Sequence, residues 1–291
     1  MTVDLHLHTN HSDGTWSPQD MVRYAINVKM SCIAVTDHDT ISGISEAQAA
    51  ADGQLEIIPG VEINTNAESG QKKKQDIHIL GYFIDTANQF LLDVLKRQRD
   101  ARLEHVETVI SRLNKAGVPL SMEGIQEFTE GGPIGKAHIT KAIVAAGGAD
   151  NIKDAYDRFM SKSSEFYVPR QSATPQLAIE AIRKAGGIAS LAHPGNGEQA
   201  IHTLTELIKH GLQAVEVYHR IHSVQTVQRL IRFANKYELL VTGGSDCHGP
   251  YEECQPSLGS IKVPFEVVTA LRKMKNQSIC SFSADKSVSP V

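Results

Sequence analysis

Hydrophobic and polar positions alternate in short blocks along the first eighty residues, a pattern that predicts strands separated by helices. Val3–Leu7 and Cys32–Thr36 are apolar runs of strand length, and further strand signals lie at Leu55–Ile58, Val61–Asn64 and Asp76–Phe83. Ser17-Pro18 with Asp20 marks a helix start: Ser caps, Pro suits the first turn and the acid favours the positive helix end. A second helix is expected over Ser42–Asp52, ended by Gly53. The polar stretch Glu68–Gln75, with Lys72, Lys73 and Lys74, reads as a solvated hairpin tip.

Past Phe83 the period changes. Leu91, Leu92, Leu95, Leu103, Val106, Val109, Ile110 and Leu113 recur at helical spacing and predict one long amphipathic helix over residues 87–116, stopped by Gly117 and Pro119. Shorter helices are expected at Ser121–Phe128, Lys136–Ala146 and Ile152–Met160, so residues 86–166 read as a helical insertion. Alternation then resumes. Helices from Thr174-Pro175, over Gln199–His210, Val224–Lys236 and Pro264–Lys275, intersperse strands at Gly187–Ala192, Ala214–Val217 and Leu239–Thr242, and a polar tail is expected to fray. These elements predict an α/β fold: a mostly parallel sheet of about seven strands closing into a distorted barrel, formed by residues 1–85 and 167–291.

Composition narrows the setting. A chain of 291 residues that is 41% hydrophobic can bury a large core. No run approaches the ~20 apolar residues of a membrane span, and the N-terminus has no signal-peptide pattern. Cysteines at 32, 247, 254 and 280 show neither zinc-ribbon spacing nor a disulfide framework, which implies a reducing cytoplasm. A net charge of −4 gives no global attraction for nucleic acid, so no stable nucleic-acid complex is expected and a polyanion must be held locally.

The candidate chemistry is a set of metal ligands. His6, His8, Asp13, His38, Glu62, His78, His193, Asp246 and His248 mostly follow apolar runs, at strand ends where an α/β enzyme assembles its site. Residues two apart in a strand share a face, so the pairs His6/His8 and Asp246/His248 should chelate from the two ends of the chain. Imidazole with carboxylate suits manganese, zinc or iron better than calcium. The ligands are too many for one ion, and Glu62 can bridge two.

At these positions the chain resembles a known family. His-x-His-Thr-x-x-Ser-Asp-Gly, Thr-Asp-His-Asp, Pro-Gly-Val-Glu, His-Ile-Leu-Gly, Ala-His-Pro-Gly and Gly-Ser-Asp-x-His-Gly are similar to the motifs of the PHP (polymerase and histidinol phosphatase) phosphoesterases, in the same order over nearly the whole chain. The likeness is to the stand-alone bacterial branch with a helical insertion, which includes nucleoside 3′,5′-bisphosphate phosphatases and a 5′→3′ exoribonuclease. It implies a distorted (β/α)7 barrel with up to three divalent metals, manganese foremost. By motif, His6, His8, Glu62 and Asp246 would hold the first metal, Glu62, His78 and His193 the second, and Asp13, His38 and His248 the third. Glu62, His193 and Asp246 form the expected catalytic set. Three dications against three carboxylates leave the site at about +3, enough for an acidic protein to hold a phosphate ester. A water shared by two ions ~3.5–4 Å apart would be the nucleophile. The implied substrate is a phosphorylated nucleotide or short RNA.

Around this set, Lys136 and His138 occupy the place of an Arg-x-His motif that faces substrate phosphate in relatives; Lys keeps the charge and loses the fork. Arg102, Arg99 and Arg170 are further candidates for the cleft, weighed against a solvated face. Asn196 follows His-Pro-Gly where several relatives carry a basic residue, which weakens the ribonuclease reading. Asp4, Asp37 and Asp39 read as either ligand-orienting acceptors or strand-end caps. His11, His219 and His222 read as loop histidines, and Cys247 as a small core residue. Competing functions are a small-metabolite phosphomonoesterase such as a histidinol phosphatase, a non-catalytic module, and an amidohydrolase.

Overall fold

The computed structural model describes residues 2–67, 75–129, 134–250 and 255–284. The Lys72–Lys74 tip, Cys254, the side chain of Cys280 and the end of the tail lie outside the described residues. In chain order the elements are β1 (Thr2–Asp4), α1 (Pro18–Asn27), β2 (Cys32–Val35), α2 (Ile44–Ala51), β3 (Glu56–Ala67), β4 (Gln75–Tyr82), α3 (Gln89–Lys115), α4 (Met122–Gln126), α5 (Lys136–Ala145), α6 (Ile152–Ala155, continued by a π turn, Tyr156–Met160), α7 (Pro175–Lys184), β5 (Ile188–Leu191), α8 (Glu198–Lys209), β6 (Ala214–Tyr218), α9 (Val224–Lys236), β7 (Leu240–Gly243), β8 (Val263–Pro264) and α10 (Glu266–Ala284). The helix starts follow the sequence signals: Ser17 caps α1 through the Asp20 N–H, and Thr174 caps α7 through the Leu177 N–H, each with Pro next.

The strands form one sheet in the order β7-β6-β5-β4-β3-β2-β1-β8. The barrel closes between β7 and β1, because beyond these strands Leu7 bridges Cys247 in parallel and the His8 N–H donates to the Cys247 carbonyl at 2.9 Å. The expected α/β barrel, a distorted (β/α)7 arrangement, is therefore present. Three details differ from the sequence expectation. The signals at 55–58 and 61–64 belong to one strand, β3, because Pro59-Gly60 redirects it without ending it. Its first part pairs with β2 in parallel, and from Gly60 onward it pairs antiparallel with β4. Gly60 permits the turn of partners: a Cβ there would lie 2.9 Å from the carbonyl oxygens of Val35 and Gly81. Strand β4 is antiparallel to both neighbours, and β8, which has no sequence signal, pairs antiparallel with β1. Finally, α10 runs nine residues past the predicted end at Lys275.

Strand alternation sorts the core into two layers. Cys32 and Ala34 of β2, Leu80 and Tyr82 of β4 and Ala214 of β6 pack together with Val267, Val268 and Leu271 of α10. The intervening residues Ile33, Val35, Ile77, Ile79, Val215 and Val217 pack outward against α1, α2, α7, α8 and α9. A third cluster, from Val106 to Val168, joins α3, α5 and the π turn. Helix α3 belongs to both regions: Leu91, Val94 and Leu95 join the barrel core, and Val106, Val109 and Leu113 the third cluster. Between them its buried face is polar, Gln98 and Arg102, while Leu103, assigned to the apolar stripe by spacing, is exposed. No helix among the described residues is long and apolar enough to cross a membrane.

Candidate metal-dependent active site

Side chains from β1–β7 converge at one end of the barrel. His6 and His8 follow β1, His38 follows β2, Glu62 lies within β3, His193 follows β5, and Asp246 and His248 follow β7. His78 lies early in β4, whose reversed direction brings its start to the end where its neighbours finish. In the β3–β4 register Glu62 opposes Leu80 and Asn64 opposes His78, so Glu62 and His78 are diagonal neighbours on one face.

Glu62 is the centre of the arrangement. Its Oε2 lies 3.2 Å from His6 Nε2, 3.3 Å from His8 Nε2 and 3.0 Å from His38 Nδ1. Its Oε1 lies 3.0 Å from His78 Nδ1 and 3.2 Å from His193 Nε2. Asp246 Oδ1 is 3.5 Å from His6 Nε2 and 3.2 Å from His8 Nε2. Asp13 lies 3.3 Å from His248 and 3.8 Å from both His8 and His38. All nine predicted ligands are thus brought together.

The donor set fits divalent metal. His6 Nε2, both ring nitrogens of His8, His38 Nδ1, Asp13 Oδ1 and Glu62 Oε2 are buried and make no hydrogen bond. Orphaned buried polar atoms are costly, and here they point at one another. Ligand atoms ~2.0–2.2 Å from a shared ion lie roughly 3–3.5 Å apart, close to the spacing around Glu62. Four mutually close donor sets emerge among the described residues: His8, Asp13, His38 and His248; His6, His8 and Asp246; His38, Glu62 and His78; and His6 with Glu216 and His219, two residues outside the nine expected ligands. Burial disfavours the charge on Glu62, but the imidazoles of His38, His6 and His78 and a hydrogen bond from His193 hold its carboxyl well below the usual range. Burial likewise pushes His248 down, and the Asp13 carboxylate more than offsets this, raising it to about 9.

The convergence does not come from regular strand alternation, as the sequence suggested. Strand β1 ends at Asp4 and β7 at Gly243, before their ligands begin. Asp246 has φ +54 and His193 φ +27, so both ligands are presented by left-handed turns that non-glycine residues rarely adopt. Gly244 lets β7 approach the histidine segment: a Cβ there would lie 2.4 Å from His6 Cβ.

Neighbouring candidates separate by their contacts. Asp37 accepts from the Thr9 N–H and hydroxyl at 2.7 Å and from Ser12 at 2.6 Å, pinning the loop that carries Asp13. Asp4 accepts from the Ser245 and Gly259 N–H groups at 2.8 and 2.9 Å, joining β1 to the segments after β7. His11 stays in its loop against Ser42 and Glu46, and Cys247 is a buried core residue. His219 departs from the loop reading: it is buried, with Nε2 3.5 Å from Asp246 Oδ2.

A cavity of about 670 Å³ opens from the cluster towards the insertion, bordered by His38, His78, Asp246 and His248 on one wall and by Arg102, His105, Lys136, His138 and Arg170 on the other. Arg102 and Arg170 line it, yet their Nη2 atoms donate to Asp39 Oδ2 at 2.7 and 2.9 Å. Arg99 donates to the Asp39 carbonyl at 3.1 Å. Asp39 also accepts from Asn64 and from Gln98, so it staples α3 and the return linker to the barrel. Burial opposes its charge, but Arg102 and Arg170 keep the carboxyl below its usual range. His138 accepts from the Gly135 N–H at 3.0 Å and so caps α5, while Lys136 opens that helix and is exposed.

Three residues escaped sequence reading, one of them Arg220, which lines the cavity with Nη2 3.4 Å from Asp246 Oδ2. His105 lines the cavity with a buried, unpartnered Nδ1; burial, then Arg170, Lys136 and Arg102, push it down to about 4. Its helical spacing from Arg102 was the available signal. Glu216, wholly buried in β6, contacts His6 and His193. A carboxylate inside the apolar run Ala-Val-Glu-Val-Tyr was the sign that it faces something charged.

Comparison with known proteins agrees with this geometry. Residues 4–173 match the family model of the PHP domain. The chain is 33% identical over 254 residues to the 5′-3′ exoribonuclease Rnm of Escherichia coli strain K12, covering 85% of each protein. It is 29% identical over 256 residues to the 3′,5′-nucleoside bisphosphate phosphatase of Chromobacterium violaceum, covering 86% of this chain and 88% of that protein. A crystal structure from Bifidobacterium adolescentis, assigned to the metal-dependent phosphoesterases, superposes with a TM-score of 0.80 at 30% identity, covering 92% of this chain and 94% of the other. With a matching fold, sequence and buried ligand clusters, the chain belongs to the PHP-domain family and is a metal-dependent phosphoesterase.

Proposed function

We propose that the protein hydrolyses phosphate esters of nucleotides, namely 3′,5′-bisphosphonucleotides or short oligoribonucleotides, with up to three divalent ions held by the nine ligands. The observation that carries this reading is the cavity, whose two walls are an imidazole–carboxylate cluster and a basic helical face. Its volume of about 670 Å³ suits a nucleotide better than a small metabolite phosphate. The relatives that act on RNA ends and on nucleoside bisphosphates support the same class.

Bound divalent ions supply Lewis acidity towards the phosphoryl group and a water nucleophile at neutral pH; manganese is the ion expected, with zinc or iron as alternatives. The chain's own residues do the rest. Glu62 places one carboxylate oxygen towards His6, His8 and His38 and the other towards His78 and His193, which suits it to bridging. Asp246 and His193 complete the catalytic set on either side. Residues 86–166 act as the substrate-selecting insertion. Lys136 and His138 meet a substrate phosphate, while Arg102 and Arg170, anchored on Asp39, lend positive potential to the wall. Val106, Val109, Phe128 and Phe159, which also line the cavity, offer a non-polar surface for a base. A reducing cytoplasm remains part of the proposal.

The test is purification with metals retained, elemental analysis, and phosphate release from bisphosphonucleotides, mononucleotides, short RNA and histidinol phosphate. The expected result is turnover of a nucleotide substrate, lost on chelation and restored by manganese. Full activity in metal-free protein, or turnover of histidinol phosphate alone, would overturn the reading.

A further inference from the structure

Strand β6 and the turn after it contribute none of the nine proposed ligands, yet they touch three of them. Glu216 is fully buried in the middle of β6. Its Oε1 and Oε2 lie 3.0 and 3.2 Å from His6 Nδ1, and Oε2 accepts the His193 backbone N–H at 2.7 Å. An acceptor on Nδ1 keeps the ring proton there, so the lone pair of His6 Nε2 faces the cluster. The bond to His193 fixes a backbone at φ +27, a conformation that needs outside support.

Three residues on, Ile221 donates its N–H to His219 Nδ1 at 3.3 Å, which places the His219 proton on Nε2, facing Asp246 Oδ2 at 3.5 Å. His222 accepts the Gly195 N–H on Nε2 at 3.1 Å and donates from Nδ1 to the Val217 carbonyl at 2.8 Å, tying the turn after His193 back to β6.

We propose that residues 216–222 form a brace in which Glu216 and His219 are positioning residues, aligning His6, His193 and Asp246 for metal. The proposal rests on the metal reading above. A charged carboxylate buried in a barrel strand needs a partner, and this one meets two ligand histidines at once.

The test titrates metal-free protein with manganese and with zinc, reading affinity and stoichiometry by calorimetry beside the melting temperature of the metal-free protein. In Glu216→Gln the amide keeps the shape but offers one acceptor. Whichever way it sits, its NH2 faces either the His193 N–H or His6 Nδ1. The expected result is full stoichiometry at saturation, affinity weakened by about 10- to 100-fold, and a metal-free melting temperature near that of wild type. Glu216→Asp should recover part of the affinity, and His219→Phe should weaken it less than Glu216→Gln. If Glu216→Gln does not fold, His219→Phe decides. Wild-type affinity in the folded variants overturns the brace. So does a lower melting temperature with unchanged affinity, which would make Glu216 a plain core residue. A missing metal equivalent at saturation in Glu216→Gln overturns it too, making Glu216 itself a ligand. If wild-type protein binds neither ion, the metal reading has failed rather than the brace alone.

Discussion

At the barrel wall of the cavity, one carboxylate, Glu62, lies within 3.3 Å of five imidazoles, and several of the atoms involved have no hydrogen bond. At the opposite wall, two guanidiniums end on one carboxylate, Asp39, and their tips are satisfied at 2.7 and 2.9 Å. Both walls gather buried charge, but the first leaves most of its ligand atoms open, whereas in the second the Nη2 tips are taken by Asp39 and only the two Nε atoms lack a hydrogen bond. The second uses charge as a joint between the insertion and the barrel. Proximity to a cavity therefore does not by itself make an arginine a substrate contact: the partner already in place decides how much of its charge is left to give.

The sharpest way to break this contrast is at its open pole. Glu62→Gln should lower kcat on the order of ten-thousandfold, or ~5.5 kcal/mol, because a neutral amide is a poor bridge. Circular dichroism should show the fold retained, and elemental analysis should show metal lost. A wild-type kcat with a full metal count would place the bridge elsewhere.

The closed pole predicts a different phenotype. Asp39→Asn leaves Arg102 and Arg170 facing each other without a carboxylate. It should cost about 3–5 kcal/mol of stability in denaturant unfolding, with the metal count preserved. A variant of wild-type stability with impaired turnover would reclassify Asp39 as part of the catalytic machinery.

The smallest effect refines the contrast within the basic wall. Lys136, exposed at the start of α5, has no anchoring carboxylate like that of Arg102 among the described residues. Lys136→Ala should lose about 1.5–3 kcal/mol in charge-assisted bonding, roughly ten- to a hundredfold in kcat/KM on phosphorylated nucleotides, with metal content unchanged. A nitrophenyl phosphate should suffer less if Lys136 grips the phosphate that stays. Equal loss on both substrates would place it at the cleaved group, and no loss would make it a solvated helix start.

The elements were legible because their signals are local. Ser17-Pro18 and Thr174-Pro175 cap helices wherever they occur, and the apolar period of residues 87–116 holds in any tertiary context. The clustering of the nine side chains was legible because histidine and carboxylate after apolar runs have few other uses in such numbers. The stripe on α3 failed at Leu103 because that residue lies about 100° round the helix from Arg102, off the buried face that Gln98 and Arg102 share. Strand β8 was missed because two residues carry no period at all.

Sequence alone determined most of the order of strands and helices, the nine side chains that the fold gathers at one end of the barrel, and the family to which they point. The tertiary structure decided which charges are open and which are consumed. His6 and Glu216 meet across 210 residues, Arg102 and Asp39 across 63, and Arg170 and Asp39 across 131. Such pairings arise when the barrel closes and the insertion docks on it, and no local period or cap encodes them. The same closure turns Glu216 from an odd carboxylate in an apolar strand into the partner of two histidines, because burial forces a charge to find whatever complement the fold brings within reach.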